Sequence, residues 1–115
     1  MIWLQNLYWG EKAREKGKAL IRAAERGRKS RFDSCWLISL SVYPEGQLDL
    51  FSVSDLRSRL FDPSSMVIIG AAGNKKEALS LLERMAADCL KAEGNLNLKR
   101  CFAHLPAGSW RGVSL

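Results

Sequence analysis

A chain of 115 residues, 47% hydrophobic and 26% charged, has the size of one domain and enough apolar surface to offset the entropy of ordering it, which excludes disorder and a second core. No stretch is apolar for long enough to span a membrane, and Cys35, Cys89 and Cys101 are too scattered for a disulfide framework. The net charge of +6 is concentrated: nine Lys and Arg stand against three Glu between Glu11 and Arg31, and the remaining acids and bases cancel.

The first nine residues carry Ile2, Trp3, Leu4, Leu7, Tyr8 and Trp9. No basic residue precedes them and no cleavage site follows, so they do not read as a secretory signal, and a cytoplasmic location is expected. Trp3 and Leu7, and Leu4 and Tyr8, are four apart, which predicts a short helical turn. Such a turn docks on its own domain or on a partner, which makes Trp3, Leu7 and Tyr8 the candidate residues for self-association or for a protein partner. A membrane-surface helix is the further alternative, given the basic stretch that follows.

From Gly10 to Gly27 the pattern is helical. Ala13, Gly17, Leu20 and Ala24 form a narrow buried stripe, and Arg14, Lys18, Arg22 and Arg26 recur every fourth residue on the exposed side. A cationic face of this kind neutralises phosphates, with Trp9 or Phe32 to stack on bases, so these four residues are candidate nucleic-acid ligands. The competing explanation is a solvated face diluted by Glu11, Glu15 and Glu25. The run from Arg26 to Arg31 forms the exit.

Residues 35–43 alternate with period two and predict a strand with one apolar face, Trp36, Ile38, Leu40 and Val42. Pro44, Glu45 and Gly46 supply a turn, and residues 47–53 a return strand, giving a β-hairpin. Ser52 or Ser54 caps a short helix carrying Leu56, Leu60 and Phe61, which Asp62 and Pro63 end.

Met66 to Ile69 reads as a central strand covered on both faces. A glycine turn follows, Gly70-Ala71-Ala72-Gly73, and Asn74 caps a helix with Glu77 returning a hydrogen bond to the cap backbone. Leu79, Leu82, Ala86 and Leu90 are the expected core stripe, flanked by Ala78, Met85 and Cys89, and Gly94 ends the helix. Leu96, Leu98 and Phe102 suggest a short last strand, and the residues from Pro106 onward take no assignment.

The turn invites a phosphate-binding reading, with Gly70, Gly73, Asn74 and Lys75 as candidates and backbone N–H groups as donors. It matches neither nucleotide-binding glycine motif, and a strand-to-helix turn uses glycine for steric reasons alone. Cys101 and His104 have the spacing of two zinc ligands on a turn, a site that Cys35 and Cys89 would complete, against the simpler reading of reduced core cysteines. His104 is the one histidine, no nucleophile motif surrounds a Ser or Cys, and Asp49 and Asp55 are accounted for as a strand position and a capping residue. No enzyme activity, cofactor or metal is expected.

The segment Leu4-Gln5-Asn6-Leu7-Tyr8-Trp9-Gly10-Glu11, the basic helix, the hairpin with Pro44 and Leu48-Asp49-Leu50-Phe51, and the run from Val67 to Leu79 together resemble a group of small bacterial α/β proteins of unknown function. In that group a lysine-glycine or similar small turn commonly precedes the last helix, where this chain has Ala72-Gly73-Asn74. The resemblance implies one intact domain and carries over no functional residue. The expected architecture is α/β or α+β, a single domain over 1–115. It has a mixed sheet of three to four strands, a β-hairpin, a basic N-terminal helix and a long C-terminal helix. The expected function is a non-enzymatic interaction module; the alternatives are nucleic-acid binding through residues 11–31 and phosphate or nucleotide binding at residues 70–77.

Overall fold

The computed structural model describes residues 1–58 and 62–112. They form an α+β fold with a mixed sheet of five strands and four α-helices in the order β1 (Ile2–Trp9), α1 (Glu11–Arg14), α2 (Gly17–Arg26), β2 (Trp36–Leu40), β3 (Leu48–Ser52), β4 (Val67–Ala72), α3 (Lys75–Glu93), α4 (Leu98–Ala103) and β5 (Trp110–Gly112). The strand order is β3-β2-β4-β1-β5. The expected class holds, and the sheet has one strand more than the upper expectation.

The N-terminal segment is a strand and not the expected helical turn. β1 pairs parallel with β4 and antiparallel with β5. Between Trp3↔Ile68 and Tyr8↔Gly70 it takes five residue steps where β4 takes two. This bulge displaces the alternation of a strand and leaves Trp3, Leu4 and Leu7 buried at a spacing that mimics a helix. The opposite error occurs further on: the expected last strand at Leu96, Leu98 and Phe102 is α4, which Asn97 caps by accepting the Arg100 N–H. The strand that does close this end of the sheet is β5.

The basic helix is two helices, because Gly17 adopts a left-handed φ of 44° and turns the chain between α1 and α2. Its narrow stripe is as expected, with Ala13, Leu20 and Ala24 buried. β2, which lies between β3 and β4, is covered on both faces, Leu37 and Ile38 alike being fully buried. The expected single apolar face ends early: Val42 is 62% exposed in the connection to β3.

Ser52 and Asp55 form a reciprocal capping box at the start of the 3-10 helix Val53–Arg57. Leu56 is buried there; Leu60 and Phe61, expected on the same helix, lie outside the described residues.

β4 is the central strand, and Gly70 lets α3 approach it. A Cβ at Gly70 would meet the Met85 Cε at 2.8 Å and the Ile38 Cδ1 at 3.3 Å. On α3 the buried stripe is Ala78, Leu81, Met85 and Cys89, one residue out of phase with the expected one. Leu79 and Leu90 are 48% and 51% exposed. Gly70 and Ile38 thus turn to α3, whereas Trp3, on the far side of the bulge, turns to Ile21 and Glu25 of α2, so helices cover both faces of the sheet. No helix of the described residues is long and apolar enough to cross a membrane.

Candidate nucleic-acid interface

β1 and β4 run parallel, so their carboxyl ends deliver the starts of α1 and α3 to the same place. The seat between these two helix starts is occupied by the protein itself. Glu77 Oε1 accepts the Gly73 N–H at 2.9 Å and Oε2 the Lys12 N–H at 3.3 Å, while Asn74 Oδ1 accepts the Glu77 N–H at 2.8 Å. Gly70 is buried within β4, and the Lys75 Nζ lies 5.7 Å from the centre of the Trp36 ring. Of the turn expected to hold a phosphate, the Gly73 N–H is therefore already taken by an internal carboxylate.

The N-terminal aromatics likewise face inward. Trp3 and Leu7, expected on an interaction surface, are 2% and 7% exposed and belong to the core. Tyr8 is half-buried; its hydroxyl donates to Asp88 Oδ2 at 2.6 Å and its ring meets Phe102 edge-on at 5.9 Å. Burial, and then the Asp88 carboxylate, hold the Tyr8 phenol protonated far above its ordinary range.

The basic residues are exposed as the sequence leads one to expect, with Arg14 on α1 and the other three on α2. Arg14, Lys18, Arg22 and Arg26 are all exposed along one ridge, and grooves lie on both sides of it. The first groove, about 490 Å³, runs between β1 and α2 and is lined by Trp3, Gln5, Leu7 and Trp9 from the strand, by Arg14, Lys18 and Arg22, and by Arg111 from β5. Glu25 is the one acid in its lining. Burial pushes the Glu25 carboxyl up, partly offset by the Trp3 indole. Trp3 Nε1 is buried and closes no hydrogen bond with it or with any other described residue.

The second groove, about 470 Å³, lies between the end of α2 and the following loop. It gathers Arg22, Arg26, Arg28, Lys29 and Arg31 with no carboxylate in its lining. Asp33, which follows this lining, accepts the Ser30 N–H at 3.2 Å and forms a two-pronged pair with Arg57 at 2.9 and 2.8 Å; Arg57 above all, and Lys29 last, hold its carboxyl below the usual range. Phe32, expected as a stacking platform, is in the core, with the Arg31 guanidinium 4.9 Å from its ring centre. Trp9, half-buried, remains available. Arg22 lines both grooves and makes the cationic surface continuous across the ridge. Arg28, Lys29 and Arg31 lie within the expected binding span 11–31 without being among its four named candidates, and Arg111 is not foreseen at all; a run of bases after a helix is the available signal for the former, and none exists for the latter.

A third cavity, about 390 Å³, is lined by Tyr8, Arg84, Asp88, Cys89, Cys101 and Phe102 among others. Burial, followed by the Cys89 thiol, pushes Cys101 up to about 11. His104 faces Glu93 at 3.6 Å, and Cys35 lies apart, its Sγ accepting from Lys16 Nζ at 3.8 Å. The four side chains of the suggested zinc site are thus not brought together, and the described residues contain no group of three or more His, Cys, Asp or Glu that holds a metal. No protein-family model, curated protein or solved structure matches this chain.

Proposed function

We propose that the protein binds nucleic acid through the cationic face of α2. The observation that carries this reading is the second groove, where Arg22, Arg26, Arg28, Lys29 and Arg31 surround one concavity without a carboxylate. Like charges gathered this way repel one another across a short distance, and a polyanion relieves that repulsion while releasing its own counterions. Neither of the two ion pairs among the described residues, Arg57 with Asp33 and His104 with Glu93, engages these cations. Of the three residues of the interaction-module reading, Trp3 and Leu7 are in the core and Tyr8 is half-buried. In the phosphate-turn reading, the Gly73 N–H is already occupied by Glu77.

The test is fluorescence anisotropy of a labelled oligonucleotide titrated with the full chain at low salt. Arg26→Glu combined with Arg28→Glu is expected to abolish binding while leaving thermal unfolding close to that of the parent protein. Undiminished binding by the double variant would reject the interface.

A further inference from the structure

The β1–α2 groove has a composition that the charge alone does not explain. Its lining is rich in donors, with Arg14, Lys18, Arg22 and Arg111 around it. The strand side also presents an aromatic surface, the half-buried Trp9, together with the exposed amide of Gln5 at the bulge.

Duplex nucleic acid has no use for this arrangement. Its bases are stacked on one another and offer no free face to an indole, and a helix that reads a major groove must project from the surface. α2 instead lies with Leu20, Ala23 and Ala24 buried beneath it and its cations overhanging a trough. A single strand fits both features, since unpaired bases stack on aromatic side chains while their phosphates follow a positive groove. We infer that the groove between β1 and α2 seats a single nucleic-acid strand, with one base on the Trp9 indole and the neighbouring phosphates on Arg14, Lys18 and Arg22. This inference rests on the reading of the α2 face as a nucleic-acid interface.

The experiment uses the full chain with a labelled oligouridylate, a labelled oligothymidylate and a labelled duplex of equal length, all at low salt, with intrinsic tryptophan emission followed alongside anisotropy. Either single strand is expected to bind about tenfold or more tightly than the duplex and to quench tryptophan emission. Trp9→Ala should weaken single-strand binding by about tenfold, the scale of one lost stacking contact. Trp9→Phe should retain most of the affinity while losing the quench, a result that a general folding defect does not produce. Equal binding of duplex and single strand, with the quench unchanged in Trp9→Phe, would overturn the single-strand assignment and leave the interface standing. Absence of binding to all three probes would remove both.

Discussion

Glu77 reaches back past its own helix cap to Gly73, accepting that residue's N–H at 2.9 Å, and with its other oxygen accepts the Lys12 N–H at 3.3 Å. One carboxylate thereby satisfies orphan donors at the starts of two helices, where the helix dipoles favour negative charge. Loss of this acceptor in Glu77→Ala is expected to cost about 1–2 kcal/mol in urea unfolding. A Cβ at Gly10 would collide with the same carboxyl group. Gly10→Ala should therefore displace Glu77, and the double variant should be less destabilised than the two single effects added together. Strict additivity would show that the carboxylate does not link the two helix starts.

Gly70 is required by the close approach of α3. The added methyl of Gly70→Ala would stand 2.8 Å from Met85 Cε, 3.3 Å from Ile38 Cδ1 and 3.4 Å from the Tyr8 carbonyl oxygen. Overpacking of this kind costs about 1–3 kcal/mol. Because the tightest neighbour is the end of a flexible side chain, the cost measured in a Met85→Ala background should be smaller. An equal cost in both backgrounds would place the strain in the backbone of β4.

Asp33 and Arg57 give the acid limb of the stability profile. The guanidinium holds the Asp33 carboxyl below its ordinary value, so the native state binds this proton less readily than the unfolded chain. The stabilisation is present above the ordinary carboxylate range and is lost as pH falls through the lower, native value. Asp33→Asn should lower stability at neutral pH and flatten the loss on acidification. An unchanged acid limb would mean that the pair contributes nothing measurable, as many exposed pairs do.

Glu25 has the opposite sign. Burial raises its carboxyl, so the native state favours the protonated form, and stability grows as pH falls through the native value toward the ordinary one. Glu25→Gln should raise the neutral-pH melting temperature and, by removing the one acid lining the β1–α2 groove, tighten nucleic-acid binding. Weaker binding by this variant would assign Glu25 a direct role in contacting the ligand.

Features encoded by neighbouring residues were legible in the sequence, and features decided by a distant partner were not. The start of α3 is local chemistry, and Asn74 caps it as its spacing with Glu77 suggests. The second half of the expected reciprocal bond goes to Gly73 and Lys12, and Lys12 belongs to another helix. The phase of α3 was ambiguous because Leu79, Leu82, Ala86 and Leu90 satisfy helical periodicity as well as Ala78, Leu81, Met85 and Cys89 do. Gly70 decides between them by admitting Met85. β1 was misread because a bulge defined only by its pairing with β4 gives Trp3 and Leu7 helical spacing. The cationic ridge was visible at every fourth residue, whereas Arg111 joins its groove only because β5 pairs antiparallel with β1.

The measurement that bears most directly on the α2 interface is the salt dependence of oligonucleotide binding by the wild-type chain and by Arg22→Glu, the residue common to both grooves. A strand whose phosphates sit on Arg14, Lys18 and Arg22 of the β1–α2 groove should give a plot of log affinity against log salt with a slope of about −2, from roughly 0.7 counterions released per phosphate neutralised. Binding that follows this slope and is lost in Arg22→Glu is the predicted result. Affinity that does not change with salt, or that survives in Arg22→Glu, would contradict it.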